Sequence, residues 1–203
     1  MTTAALLLSG GESSRFGGLP KAMMSVGGRT AVRRIAETCL SRGLDPVVVV
    51  VGPHRGPIAH ELRDVHVEFV DSPYWYEGRT ASIHSGLEAI PEDRDILFWP
   101  VDHPFVADST VDTLLRACHD EPLSVWFIPS YQGRGGHPVV WRSSVRADIL
   151  DLRSDAPLRS LLPEFGIQVH RIAVDDPGVV ANVDTPEEYR TALAEWEARG
   201  ERF

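Results

Sequence analysis

Ser9-Gly10-Gly11, Ser13-Ser14-Arg15 and Pro20-Lys21 follow in that order on a short apolar run at 4–8. Glycines let backbone N–H groups approach an anion closely, the hydroxyls add donors, and Arg15 and Lys21 supply the positive charge a phosphate chain needs. The loop is not a Walker A loop, because no Gly-Lys-Ser/Thr stands at the required spacing, and Gly-x-Gly-x-x-Gly is absent as well. Taken alone it reads as an anion-binding loop or as a flexible surface loop.

Further groups sit at other strand ends. The apolar stretch at 95–101 ends at Asp102, and Pro104 stops the strand from continuing. A carboxylate there is placed to hold Mg²⁺ against triphosphate oxygens, since magnesium takes one or two carboxylates plus phosphates and waters; the competing role is capping a turn. Asp184 stands before Thr185-Pro186-Glu187, where an N-cap is the competing role. Gly133-Arg134-Gly135-Gly136-His137-Pro138 offers room for a bulky ligand, a guanidinium for a phosphate and an imidazole for hydrogen bonding, or else a plain hairpin turn. His103 has no metal partner at a standard spacing and reads as a residue at the edge of a site.

These groups need a scaffold that brings strand ends together. Helical spacing at 30–42 places Val32, Ile35, Ala36, Cys39 and Leu40 on one side, with Gly43 past the end. Five consecutive valines within 46–52, closed by Gly-Pro, read as a strand buried on both faces. Strands are expected at 65–70, 95–101, 123–129, 138–141 and 167–174. Helices are expected at 57–63, 80–90, 108–118, 143–150, 156–162 and 185–199, with Asp108-Ser109 as N-cap types for the third of them. Repeated β-then-α units predict an α/β fold, a single doubly wound, mostly parallel sheet flanked by helices, in one domain over 1–203. Ligands bind beyond the carboxyl ends of the strands in such sheets, where these motifs fall.

The ordered motifs resemble the molybdenum-cofactor and sugar-phosphate nucleotidyltransferases. Leu8-Ser9-Gly10-Gly11, Ser14-Arg15-Phe16-Gly17 and Pro20-Lys21 are similar to that family's signature loop, with Phe16 for its usual Met. Asp102-His103-Pro104 resembles its Asp-Met-Pro segment, and Asp184-Thr185-Pro186-Glu187 its second acidic motif. The resemblance implies a Rossmann-like nucleotidyltransferase fold, with Lys21, Arg15 and Asp102 catalytic and Asp102 and Asp184 sharing one Mg²⁺. It also implies that Leu8, Ser9, Gly10, Gly11 and Ser82 bind the nucleotide, Ser82 through the helix start within 77–87. The segment 133–138 resembles that of the branch that nucleotidylates molybdopterin, so Arg134, Gly136 and His137 are implied to bind the acceptor. Asp155 and Arg159 join them through a similar stretch at 154–162, in which Pro157 replaces a glycine. The base is split: the Gly-His-Pro segment favours CTP and Gly10 favours GTP.

Composition narrows the partners. A formal net charge of -9 without a dense basic run argues against a nucleic-acid duplex. No apolar run reaches the ~20 residues of a membrane span, and the first apolar run reads as a buried strand rather than a signal peptide. Cys39 and Cys118 are expected as free buried thiols, which suits the cytoplasm. The expected ligands are a nucleoside triphosphate and a phosphorylated small molecule, and a molybdoenzyme or chaperone is a further partner under the resemblance. The rival readings are a sugar- or polyol-phosphate nucleotidyltransferase and a non-catalytic nucleotide-binding module.

Overall fold

A computed structural model describes residues 2–12 and 19–200. The chain opens with β1 (Thr3–Ser9), a short 3-10 turn at Lys21–Met23, and a small hairpin of β2 (Ser25–Val26) and β3 (Arg29–Thr30). It continues through α1 (Ala31–Ser41), β4 (Val47–Val51), α2 (Arg55–Glu61), β5 (Glu68–Asp71) and α3 (Arg79–Glu88). Next come β6 (Asp95–Pro100), α4 (Asp108–Asp120), β7 (Trp126–Tyr131), β8 (Arg134–Gly135) and β9 (Val139–Trp141). The last elements are α5 (Arg146–Leu150), α6 (Leu162–Phe165), β10 (Val169–Ala173) and α7 (Pro186–Ala198).

The main sheet runs β10-β7-β9-β6-β1-β4-β5, with β8 paired to β7 off this path. The β1–β4, β1–β6, β4–β5 and β7–β10 pairs are parallel. Among the described residues, only β9, inserted antiparallel between β6 and β7, and β8 run against the rest. The expected doubly wound, mostly parallel sheet is therefore present. Its centre explains the valine run: Val47, Val49 and Val51 face the core under α1, α2 and α4, while Val48 and Val50 face the core under α3 and α5. Strands buried on both faces carry continuous apolar runs for this reason. Cys39 and Cys118 are free and buried as expected, and burial pushes their thiols up to about 12 and about 11.

Some local expectations are corrected. Asp108 is not the N-cap of α4: Ala107 holds that position, and the Asp108 carboxylate faces Arg34, Thr38 and Arg42 instead. The helix expected at 156–162 begins two residues later as a 3-10 turn, because Pro157 is extended and the α-helical turn then forms around Pro163. The strand expected from 123 starts at Trp126, since residues 121–124 close a turn.

A third apolar cluster, with Val26, Phe105, Val183 and Trp196, packs α7 against the small hairpin. Asp176 locks this corner. Its carboxylate is buried and accepts from Ala107 N and Thr110 Oγ1 at 2.8 Å and from Gly178 N and Arg199 Nη1 at 2.9 Å. Asp176→Asn turns one acceptor oxygen into a donor facing donors. It is expected to cost about 3 kcal/mol, from a broken buried charge pair and unsatisfied donors. Thermal melting should fall by roughly 6–12 °C for a chain of this size; a shift near zero would remove Asp176 from this role.

Candidate active site

Two cavities open side by side at the carboxyl edge of the sheet. The smaller, about 260 Å³, is lined by Leu8, Ser9, Gly10, Gly11, Lys21, Ser82, Asp102 and Asp184, together with Trp75 and Arg79. These are the residues expected to take the nucleotide and metal, save Trp75 and Arg79, which the motifs did not single out. Arg15 lies outside the described residues, as do Ser13, Ser14 and Phe16.

Close backbone approach shapes the smaller cavity. A Cβ at Gly52, just past β4, would lie 2.3 Å from the Gly10 carbonyl oxygen, so glycine there lets the turn after β1 settle against the turn after β4. Ser82, in the first turn of α3, shares a 2.9 Å hydrogen bond with Ser72. A Cβ at position 10 would approach Ser82 Oγ to 3.1 Å, so residue 10 sets the width of the cavity beside Ser82.

The two acidic segments are tied by backbone: Val183 N–H donates to the Asp102 carbonyl at 2.8 Å. Asp184 does not cap α7 with its side chain. Thr185 does so in a capping box, with Glu188 N–H donating to Thr185 Oγ1 and Thr185 N–H to Glu188 Oε2. The Asp184 carboxylate is thereby left to Lys21 Nζ, its ion-pair partner, and to Asn182 Nδ2 at 2.7 Å. Asp102 stands two residues past the end of β6; its Oδ2 accepts from Arg79 Nη2 at 3.1 Å. Its Oδ1 is buried and has no hydrogen-bond partner among the described residues.

The larger cavity, about 750 Å³, has an apolar floor that includes Phe98, Trp126, Ile83 and Ile128, and a rim of Arg79, Arg134, Arg159 and Arg171. Gly136, His137 and Asp155 line it too, so every residue expected to bind the acceptor meets here. The Asp155 carboxylate is itself held by Arg153 at 2.9 and 3.0 Å. Gly136 presses on the chain near 179: an added Cβ would stand 2.0 Å from the Val179 carbonyl oxygen, which also accepts from His137 N at 2.8 Å.

The His137 and His103 rings stack tilted at 4.8 Å. Burial, then the neighbouring His103 and Arg79, hold His137 well below the usual histidine range. Burial lowers His103 as well, against the opposing pull of Asp102. Burial therefore favours the neutral form of both imidazoles, and the Nδ1 atoms of both lack hydrogen-bond partners among the described residues. His103 thus stands at the site's edge as expected, facing the larger cavity.

Trp75, Arg79 and Arg171 were not visible as site residues. Arg79 carried a readable signal, for it is the first residue of α3. A helix N-terminus favours anions, so a cation placed there invites a functional explanation.

The MobA-like NTP transferase domain profile matches residues 5–172. The chain belongs to the MobA-like NTP transferase domain family. The expectation of a nucleotidyltransferase is met at this level. Among full-length relatives, the chain is similar to a probable molybdenum cofactor guanylyltransferase of Bacillus cytotoxicus, 28% identical over 95% of this chain and 96% of that one. It is also similar to the nicotine blue oxidoreductase of Paenarthrobacter nicotinovorans, 30% identical over 90% of this chain and 92% of that one. In fold it matches a nucleotidyl transferase from Methanothermobacter thermautotroptrophicus with a TM-score of 0.80 and 20% identity, covering 98% and 99% of the two chains. No helix among the described residues is long and apolar enough to cross a membrane.

Proposed function

We propose that this family member moves a nucleoside monophosphate from GTP or CTP onto a phosphorylated small molecule, molybdopterin first among acceptors, and releases pyrophosphate. The observation that carries the reading is the juxtaposition of Lys21, Asp102 and Asp184 in one cavity beside a second, arginine-rimmed cavity. The donor triphosphate lies along Ser9, Gly10, Gly11 and Lys21. The acceptor lies over the apolar floor with its phosphate toward Arg134 and Arg159. An acceptor phosphate oxygen attacks the α-phosphorus, the bond to the β-phosphate oxygen breaks, and pyrophosphate departs with the electron pair. A phosphate dianion needs no general base, so the protein works by positioning and charge neutralisation. Lys21, with Arg15, neutralises the departing pyrophosphate.

The carboxylates suit a hard divalent cation. Asp102 Oδ1 is buried without a hydrogen-bond partner among the described residues, and Asp184 lines the same cavity. Magnesium needs only one or two protein carboxylates. Bound to Asp102 and Asp184, Mg²⁺ would supply charge neutralisation at the α-phosphate.

Glycine at position 10 leaves space beside Ser82, which favours the larger guanine over cytosine. The test is pyrophosphate release with GTP, CTP, ATP and UTP against molybdopterin and a panel of sugar and polyol phosphates. GTP with molybdopterin should be fastest. Turnover with a sugar phosphate alone would select the rival acceptor class, and no turnover would leave a nucleotide-binding module. Under the molybdopterin reading the protein works in the cytoplasm and hands its product to a molybdoenzyme or its chaperone.

His137→Ala should raise the KM for the acceptor by about tenfold, the scale of one lost hydrogen bond in a buried polar site. The dissociation constant of the nucleotide should stay unchanged; an equal effect on both would contradict the acceptor assignment.

The oxidoreductase relative supports a second reading, because its likeness spans nearly both chains. There the phosphate cradle would hold a nicotinamide dinucleotide and the larger cavity an organic hydride acceptor. Loss of reduced-nicotinamide absorbance on adding an aromatic acceptor, without pyrophosphate release, would select it.

A further inference from the structure

Among the described residues, Arg79 alone lines both cavities. We propose that Arg79 is a catalytic residue whose guanidinium bridges the phosphate groups of the two bound molecules; this rests on the transferase reading above. Lys21 lines only the smaller cavity, and Arg134, Arg159 and Arg171 line only the larger. The reaction joins an acceptor phosphate oxygen to the α-phosphorus at the boundary between them. Two anionic groups must meet there, and the wall at that point carries Arg79.

The local structure fits this task. Arg79 opens α3, and its side chain is half exposed. The N-terminus of a ten-residue helix adds its own attraction for anions at the same place. Arg79 forms one hydrogen bond among the described residues, from Nη2 to Asp102 Oδ2 at 3.1 Å. The remaining donors of its planar fork are available to phosphate oxygens on either side. A lysine at this position would offer a point charge, able to follow one phosphate but not to span two. During transfer the guanidinium would hold the attacking and the attacked phosphates together and offset the charge gathered as the new P–O bond forms and the old one breaks.

Binding of two inorganic or simple probes separates this role from turnover. Calorimetry with pyrophosphate reports the smaller cavity. Phenyl phosphate, with a ring for the apolar floor and a dianion for the arginine rim, reports the larger. Arg79→Gln should weaken both probes about tenfold or more, the scale of hydrogen bonds to a charged group. Lys21→Ala should weaken pyrophosphate alone, and Arg159→Gln phenyl phosphate alone. Arg79→Lys should recover much of each single-probe affinity while turnover stays low.

A loss confined to one probe, or no loss, overturns the proposal, as does a wild-type chain that binds neither. Recovery of pyrophosphate binding by Asp102→Asn in the Arg79→Gln background would also overturn it, by reducing Arg79 to a screen for Asp102. Failure of the parent reading shows separately, as wild-type protein that binds both probes yet releases no pyrophosphate from any nucleoside triphosphate.

Discussion

Lys21→Ala is expected to lower pyrophosphate release by on the order of 10²–10³, the loss seen when one preorganised donor to transition-state charge is removed. The protein should melt at nearly the wild-type temperature. Lys21 is 18% exposed and its partner Asp184 35% exposed, and an ion pair at that degree of solvation contributes about 0–1 kcal/mol. Asp184 also keeps its hydrogen bond from Asn182 when the lysine is gone. Turnover and fold therefore separate. Steady-state kinetics beside a melting curve check the prediction, and unchanged turnover would sink the role given to Lys21.

Asp102→Asn and Asp184→Asn should each lower kcat by about 10²-fold and flatten its dependence on magnesium concentration, since each removes one charged oxygen ligand from a shared cation. The backbone bond from Val183 to Asp102 survives both substitutions, so the two segments stay together. If the carboxylates hold one ion, the double variant should be scarcely worse than the weaker single one, as residues acting as a unit are not additive. Magnesium titrations of all three variants check this. Losses that multiply, or a metal dependence that survives in one single variant, would mean that the carboxylates act separately.

The candidate site was legible where its residues are local to a motif. Lys21, Asp102, Gly136 and His137 each lie in a short segment next to a strand end, and the parallel sheet gathers strand ends at one edge. The valine run disclosed its own burial, because only a central strand can afford five apolar side chains in succession. Asp184 was ambiguous between capping and ligation, and the evidence against side-chain capping stood three residues beyond Thr185: Glu188 completes the capping box with Thr185 and leaves the aspartate outside it.

What escaped the sequence depends on long-range contact. Asp176 accepts from Ala107, 69 residues away, and nothing near it announces a buried carboxylate. Asp108 looked like a cap because helix-start rules count neighbours in sequence, whereas Arg34 of α1 and Arg42 just past its end draw its carboxylate away. The antiparallel insertion of β9 rests on three residues, all paired to β6 and two of them also to β7, too short a segment for periodicity to orient. The place of Arg79 between the two cavities is likewise set by the fold and not by its neighbours in sequence.

Nucleotidyl transfer is tested most simply by following the α-phosphate. Wild-type protein, magnesium and molybdopterin are incubated with GTP or CTP labelled at the α-phosphorus, in parallel with γ-labelled nucleotide. The α-label should move into a nucleotidylated acceptor while the γ-label leaves as pyrophosphate. α-Label that stays in free nucleotide, with γ-label released as inorganic phosphate or not at all, would contradict it.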